Sequence, residues 1–176
     1  MAEYTIKKAL FVCLVCISTY YIIESLKNSN SCRSPIAEGV FKHTVNKMGK
    51  GHEWEIDSAA IADWNVGYPP SDRATNVMRK HGIRYNGVGR QITTEDFNNF
   101  DYIFGMDEYN IRNLHRLAPT EPKAKILLLG DFDPEGERII RDPYFDNDDR
   151  GFEKCYQQAM RSSKGFLEQL DKGSIK

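Results

Sequence analysis

Apolar segments compatible with β-strands alternate with helical segments along this chain, and that alternation limits the folds it can adopt. Four segments have the composition of buried strands, at residues 6–14, 52–60, 100–106 and 124–130. Helices are predicted after each strand, at residues 34–49, 71–82, 107–119 and 151–170. A helix between two strands returns the chain to the sheet in parallel. The sequence therefore predicts an open, doubly wound α/β fold in which a four-stranded parallel sheet is flanked by helices on both faces.

Helix start and stop signals support these boundaries. In the first helix Ser34 is the predicted N-cap, Pro35 suits the first helical position, and Gly49 is the predicted stop. Gly82 is the predicted stop of the second helix. The last helix is predicted to bury one apolar side, formed by Phe152, Tyr156, Ala159, Phe166, Leu167 and Leu170.

The composition is typical of one globular domain. The chain has 176 residues, 40% of them apolar, and a formal charge of -1, so it can build a core and has no basic field for nucleic acid. Its four cysteines, Cys13, Cys16, Cys32 and Cys155, are too few for a disulfide framework. The Cys13–Cys16 pair also lacks a second pair to complete a zinc site. We expect a single domain over residues 1–176 in the reducing cytoplasm, with its oligomeric state undetermined by the sequence.

A competing hypothesis is that the chain is secreted or anchored in a membrane. Lys7 and Lys8 precede an apolar run at residues 9–23, which is the pattern of a signal peptide or a short anchor. The run is shorter than the roughly 18–20 residues that a membrane span needs. Glu24 and Lys27 follow it, and no small-residue cleavage site is present. We therefore expect a cytoplasmic protein with no membrane span.

An anion site is predicted where the first strand leads to the first helix. Arg33 and Ser34 stand at the helix start, where free backbone N–H groups and the helix dipole attract a negative ligand. Arg33 adds a planar fork suited to phosphate. Cys13 ends the first strand, and a cysteine in that positive field would have a lowered pKa and act as a thiolate nucleophile. A separate acid would then protonate the leaving group.

The segments "LFVCL" and "NSCRSPIAEGVF", at residues 10–14 and 30–41, resemble the amino-terminal signature of the low-molecular-weight protein tyrosine phosphatases. Further similar fragments follow in the same order over nearly the whole chain, among them "DSAA", "DWNVG", "RKHGI", "RQIT", "DPY" and "YQQ". The resemblance implies the phosphotyrosine phosphatase type I fold. It also implies hydrolysis of phosphotyrosine and small aryl phosphates, an acid phosphatase activity, through a cysteinyl-phosphate intermediate. It implies neither a metal nor another cofactor.

The resemblance also implies roles for particular residues. Cys13 would be the nucleophile, Arg33 would bind the phosphate and stabilise the transition state, and Asp142 would act first as general acid and then as general base. Ser58 would help to order the phosphate-binding loop. The implied substrate-binding residues are Leu14, Asn30, Ser31, Cys32, Ser34, Trp64, Tyr144 and Phe145.

Three of these residues have additional implied functions. Asn30 would shape the loop, and Ser34 would hydrogen-bond the Cys13 thiolate. Cys32 would form a reversible disulfide with Cys13 and protect it from over-oxidation. Tyrosine-phosphorylated proteins and small aryl phosphates are the implied partners, and nucleic acid is not one.

Two other motifs imitate parts of this site. Asp133 also precedes a proline, and only the aromatic pair after Asp142 favours Asp142 as the acid. Cys155 and Arg161 have the Cys-x5-Arg spacing of the family. They lie in a predicted helix with no strand before them, so we do not expect them to form a phosphate loop.

The chain departs from the family within the phosphate loop itself. The family has five residues between the cysteine and the arginine, whereas nineteen separate Cys13 from Arg33 here. Alignment of "SNSCRS" with the second half of the loop leaves residues 15–28, "VCISTYYIIESLKN", as a fourteen-residue insertion. The longer loop costs roughly 1 kcal/mol in closure entropy. Interruption of the consecutive N–H groups that surround one phosphate is the more severe change.

Two hypotheses follow from the insertion. In the first, the loop re-forms around it and the chain is an active phosphatase. In the second, the chain is a catalytically impaired pseudophosphatase, or a product of alternative splicing, that binds phosphotyrosine or anions without turnover. Gly87 is a further departure, because several family members have a histidine there that supports the loop asparagine. Its absence predicts weaker support for the loop.

Overall fold

A computed structural model describes residues 5–13, 32–63, 65–144 and 146–175. Within these ranges four strands form one parallel sheet in the order β2-β1-β3-β4. The strands are β1 at Lys7–Cys13, β2 at Trp54–Ala60, β3 at Tyr102–Gly105 and β4 at Lys125–Leu128. Because β1 lies between its two successors along the chain, the sheet is wound in both directions from it. The predicted fold class is confirmed.

The described residues also form α-helices that connect or follow these strands. They are α1 at Arg33–Lys47, α2 at Asp72–Lys80, α3 at Asp96–Asn99, α4 at Glu108–Leu117 and α5 at Arg150–Asp171. Two short 3-10 turns lie at Gly51–Glu53 and Leu129–Phe132. The sequence analysis did not predict α3, because four residues are too few to show a helical period.

Alternate side chains of β1 enter two separate apolar clusters, one on each face of the sheet. Phe11 belongs to the cluster under α1 and α5, where its ring lies 5.3 Å from that of Phe41. Leu10 and Val12 belong to the opposite cluster, together with Phe97 of α3. Burial on both faces explains why β1 is a continuous apolar run and not an alternating one.

The long helix α5 buries the side that its sequence predicts. Phe152, Tyr156, Ala159, Phe166 and Leu167 are buried, and Leu170 is partly buried against the same cluster. This side therefore packs α5 against the face of the sheet that α1 also covers.

The helix termini agree only in part with the predictions. Gly49 and Gly82 have positive φ angles of 72° and 76°, as helix stops often do. The prediction that Ser34 caps α1 is wrong, because Cys32 is the N-cap residue and its side chain makes no capping hydrogen bond. Ser34 lies inside the first turn of α1, where its hydroxyl can face the end of β1.

No helix in the described ranges is long and apolar enough to cross a membrane. The predicted insertion at residues 15–28 lies outside the residues that the structure describes.

Candidate active site

The two ends of the predicted phosphate loop lie side by side at the carboxyl edge of the sheet. Cys13 ends β1, and Arg33 begins α1. The sulfur of Cys13 lies 3.0 Å from the hydroxyl oxygen of Ser34, within hydrogen-bonding distance. Ligands of open parallel sheets bind beyond this edge. The nineteen residues between Cys13 and Arg33 therefore leave the cysteine next to the helix start.

Arg33 is a buried cation between two carboxylates. Its Nη1 lies 2.5 Å from Asp107 Oδ2 and donates a 3.1 Å hydrogen bond to the carbonyl of Ile140. Its Nη2 lies 3.3 Å from Asp142 Oδ2. Burial acts to lower the pKa of Arg33, but Asp142, the Cys13 sulfur and Asp107 outweigh it and raise that pKa. The guanidinium is therefore permanently charged and fixed in direction.

Asp107 links Arg33 to the third strand. It follows β3, and its Oδ1 accepts a 2.7 Å hydrogen bond from the Asn110 backbone N–H, which caps α4. Its Oδ2 pairs with Arg33. The sequence analysis missed this role, although an aspartate between a strand and a helix is a recognisable capping signal.

The pKa of Cys13 differs from the one that the sequence predicts. Burial raises the pKa of the Cys13 thiol above its ordinary value; Arg33 and Ser34 lower it, and Asp142 raises it further. The prediction of a lowered pKa is therefore wrong in its net direction, although Arg33 and Ser34 act on the pKa as expected. The physical reason is that Cys13 is only 2% exposed, and the charge of Arg33 is shared with two carboxylates.

Asp142 approaches the site from the long loop before α5. Its Oδ2 faces Arg33, while its Oδ1 accepts a 3.1 Å hydrogen bond from the Tyr144 backbone N–H. The ring of Tyr144 is partly buried against the core beneath α1 and α5. Asp142 is thus brought together with Cys13 and Arg33, as a general acid for this site would have to be.

Asp133, the other aspartate that precedes a proline, has different surroundings. Asp133 pairs with Arg161 through two 2.8 Å hydrogen bonds and accepts a third from the Glu135 backbone N–H. Arg161 and Cys155 lie together on α5, as the sequence analysis expected. Asp133 is therefore engaged in an ion pair within this part of the fold.

Cys32 is buried at the start of α1, and its sulfur lies 3.5 Å from the hydroxyl oxygen of Ser71. Its disulfide with Cys13 stays a prediction. Other predicted site residues lie outside the described residues, namely Leu14, Asn30, Ser31, Trp64 and Phe145. The described residues contain no group of three or more His, Cys, Asp or Glu side chains that could hold a metal ion.

Ser58 joins a buried hydrogen-bond network behind Cys13. Its hydroxyl donates a 2.6 Å hydrogen bond to Glu38 Oε2, and the Tyr85 hydroxyl donates a 2.5 Å bond to the same oxygen. Lys42 Nζ lies 2.5 Å from the other carboxylate oxygen of Glu38. Glu38 and Tyr85 are not among the predicted site residues. The signal for Glu38 was a carboxylate one helical turn after Ser34, whereas Tyr85 lies in a segment without periodicity.

The space beside Gly87 is filled. A Cβ atom on Gly87 would lie 2.5 Å from the Tyr85 hydroxyl oxygen. That hydroxyl also lies 3.3 Å from the Ser58 hydroxyl. A tyrosine two residues earlier therefore occupies this space beside Ser58. The predicted weaker support concerns the loop asparagine, Asn30, which lies outside the described residues, so it stays a prediction.

Known proteins match this chain over most of its length. The family model for "Low molecular weight phosphotyrosine protein phosphatase" matches residues 25–175. The protein of that name from Mus musculus is 48% identical over 170 residues, which cover 96% of this chain and 98% of the mouse protein. The Sus scrofa protein is 46% identical over 172 residues, which cover 97% of this chain and 99% of the pig protein.

Solved structures share the fold. DARP, the Drosophila arginine phosphatase, superposes with a TM-score of 0.80 at 37% identity and covers 93% of this chain and 97% of its own. A protein tyrosine phosphatase from Entamoeba histolytica, with Hepes in its active site, has a TM-score of 0.83 at 28% identity and covers 96% and 99%. With this likeness in sequence, fold and strand order, the chain belongs to the low molecular weight phosphotyrosine protein phosphatase family.

Proposed function

We propose that this chain is a protein tyrosine phosphatase and acid phosphatase that hydrolyses phosphotyrosine and aryl phosphates through a cysteinyl-phosphate intermediate. The observation that carries the proposal is the convergence of Cys13, Arg33 and Asp142. In this proposal they are the nucleophile, a fixed cation and the acid, and their side chains lie together at the carboxyl edge of the sheet. We propose that residues 1–176 act as one domain, with an insertion at residues 15–28, and that it works in the cytoplasm.

Phosphate binding is assigned to Arg33 and the start of α1. The guanidinium is held by Asp107 and the Ile140 carbonyl, so it is oriented before substrate arrives. A preorganised cation of this kind stabilises charge that develops on phosphoryl oxygens in the transition state. Backbone N–H groups at the helix start favour the same dianion.

The first chemical step transfers the phosphoryl group to Cys13. The sulfur forms a bond to phosphorus while the bond from phosphorus to the aryl oxygen breaks. Asp142 as a carboxylic acid gives its proton to the departing phenolate. Ser34, at 3.0 Å, is within reach to donate a hydrogen bond to the thiolate.

The second step reverses these roles. The Asp142 carboxylate accepts a proton from water as the water oxygen attacks phosphorus, the S–P bond breaks, and the Cys13 thiolate and inorganic phosphate are released. Since burial raises the pKa of Cys13, the thiolate needs donors beyond Arg33 and Ser34. The backbone N–H groups of a re-formed phosphate loop are the donors that this mechanism requires.

A second candidate function is anion binding without turnover. The observation in its favour is the burial of Cys13, which is only 2% exposed; burial raises the pKa of the thiol, and a protonated thiol is a poor nucleophile. In this alternative the insertion prevents the loop from re-forming. Arg33 would still attract phosphotyrosine or inorganic phosphate.

Hydrolysis of p-nitrophenyl phosphate distinguishes the two candidates. The full chain, a variant that lacks residues 15–28, and Cys13→Ser in both backgrounds would be compared at about pH 5–6, where a carboxylic acid can act as proton donor. We expect turnover by the full chain that Cys13→Ser abolishes. Turnover only in the shortened variant would support the impaired form instead. No turnover in either would overturn the assignment of Cys13.

Tyr144, a partly buried aromatic side chain two residues after Asp142, supports phosphotyrosine as the substrate class. An aromatic ring close to the proposed acid could stack on a substrate phenyl group. We expect phosphotyrosine peptides to be hydrolysed faster than phosphoserine peptides of the same sequence. A phosphoarginine peptide is a useful competitor, since one structural relative is described as an arginine phosphatase. Preference for phosphoarginine would contradict the proposed substrate.

A further inference from the structure

Glu38 is a buried carboxylate with an unusual number of donors around it. It is only 3% exposed, and its carboxylate accepts hydrogen bonds of 2.5–2.6 Å from Ser58, Tyr85 and Lys42. A buried carboxylate is costly unless such groups compensate it. The network is therefore a fixed structural unit, and each of its members restrains the others.

This network lies directly behind the candidate active site. Glu38 stands four residues after Ser34 on α1, so the two side chains lie on the same side of the helix one turn apart. Ser58 of β2 pairs with Phe11 of β1, and Phe11 lies two residues before Cys13. The Glu38–Ser58 bond therefore ties the start of α1 to the strands that end at Cys13.

Tyr85 reaches the network through a space that Gly87 leaves open. A Cβ atom on Gly87 would lie 2.5 Å from the Tyr85 hydroxyl oxygen. Burial and the Glu38 carboxylate raise the pKa of the Tyr85 phenol, so it stays protonated and donates to Glu38 at neutral pH. Through this hydrogen bond, the segment that carries Tyr85 also helps to hold α1 in place.

We propose that Tyr85 is a positioning residue of this enzyme, which through Glu38 and Ser58 holds the start of α1, and with it Arg33 and Ser34, against Cys13. The expected effect of Tyr85 on turnover rests on the proposed function. Its expected effect on anion binding does not, because the orientation of Arg33 governs anion binding whether or not the chain turns over substrate.

The first test removes only the hydroxyl. Tyr85→Phe would be compared with Tyr102→Phe. Tyr102 is the first residue of β3, so it lies at the amino-terminal end of the strands, away from the carboxyl edge that holds the candidate site. We expect Tyr85→Phe to lower kcat for p-nitrophenyl phosphate about tenfold with little change in KM, since small displacements in a catalytic constellation are costly. Tyr102→Phe is expected to leave both constants unchanged.

Binding of orthovanadate, an oxyanion that mimics the transition state, provides a readout independent of turnover. Equilibrium dialysis should show about tenfold weaker vanadate binding by Tyr85→Phe and unchanged binding by Tyr102→Phe. If the full chain shows no turnover, the proposed function fails, but the vanadate comparison still decides the role of Tyr85. Wild-type vanadate affinity in Tyr85→Phe would overturn the proposal.

A second test exchanges the donor. Gly87→His alone would collide with Tyr85 and should lower activity and vanadate affinity. Tyr85→Ala alone should lower both by removal of the donor. In Tyr85→Ala/Gly87→His the imidazole N–H has room to donate to Glu38, so we expect the double variant to recover most of either loss. Losses that simply add would contradict the proposed coupling.

Discussion

At the scale of single residues, the candidate site depends on the planar geometry of Arg33. Its two terminal nitrogens face different carboxylates, Asp107 and Asp142, while one of them also holds the Ile140 carbonyl. A lysine ammonium is a point charge that cannot make contacts in both directions from one buried position. The cation was predictable from the sequence, and Asp142 was expected at the same site. Asp107 was not, because it lies 74 residues further along the chain, outside the motifs that indicated the site.

Arg33→Lys is expected to lower kcat/KM for p-nitrophenyl phosphate by about 10²-fold, the usual cost of a lost transition-state donor. Steady-state kinetics would measure the effect, and circular dichroism would show that the fold is retained. Arg116→Lys, an exposed position on α4, is the matched control. An Arg33→Lys variant with wild-type kcat/KM would contradict the assigned role.

Asp133 provides a residue-scale prediction about stability. Burial acts to raise its pKa, but hydrogen bonds from Arg161 and the Glu135 N–H lower it below the ordinary value. Because the folded-state pKa is the lower one, this contribution to stability is present above the unfolded value of about 3.9 and is lost as the pH falls through the folded value. The interaction therefore stabilises the neutral-pH protein and fails in acid.

Asp133→Asn is expected to lower the free energy of unfolding by about 1–3 kcal/mol at neutral pH, since it weakens a partly buried, charge-assisted bond to Arg161. Urea denaturation at neutral pH and again below about pH 3.5 would measure it. The difference between the wild type and the variant should shrink in acid, where Asp133 becomes protonated. A Glu168→Gln change on the exposed side of α5 is the control, and a difference that is constant with pH would argue against this origin.

At the scale of elements, helix α2 holds the loop that carries Asp142. Arg73 of α2 donates to the Asp146 carbonyl at 2.9 Å, to the Asp149 carboxylate at 3.1 Å and to the Asp148 carbonyl. Its guanidinium also lies 4.3 Å from the centre of the Phe152 ring. One side chain thus ties α2 to the loop and to the first turn of α5. The elements themselves were predictable from periodicity, whereas this link between them was not.

Arg73→Ala is expected to impair general-acid catalysis in particular, because a loosened loop misplaces Asp142 relative to the leaving group. Hydrolysis of phenyl phosphate, whose leaving group needs the proton, should fall about tenfold. Hydrolysis of p-nitrophenyl phosphate should fall less, because its leaving group departs more easily as an anion. Arg79→Ala on the same helix is the control. Equal losses of activity for both substrates would show that Arg73 does not act through the position of Asp142.

At the scale of the whole molecule, the contacts that join β1 to α1 do not depend on a short connection between them. Cys13 meets Ser34 at 3.0 Å, and Phe11 packs against Phe41. Parallel strands and the crossover helix are held by the buried clusters on the two faces of the sheet. A longer connection adds closure entropy but removes none of these contacts.

Deletion of residues 15–28 is therefore expected to raise the free energy of unfolding by only roughly 1 kcal/mol. Urea denaturation should give a slightly higher midpoint with an unchanged slope. A variant in which a Gly/Ser segment of equal length replaces residues 15–28 should stay close to the full chain, because closure entropy depends mainly on loop length. Loss of cooperative unfolding in the Gly/Ser variant would show that the side chains of the segment contribute to the core.

The sequence by itself determined the fold class, since strand and helix periods are local properties of a chain. It also determined the family, and it singled out Cys13, Arg33 and Asp142, because they belong to short motifs in a recognisable order. Only the tertiary structure decided that Cys13 meets the start of α1 and that burial raises its pKa. It alone brought Asp107 to Arg33 and the Tyr85 hydroxyl to the space beside Gly87. These features depend on which elements meet at one edge of the sheet, and desolvation and ion pairing arise only where they meet.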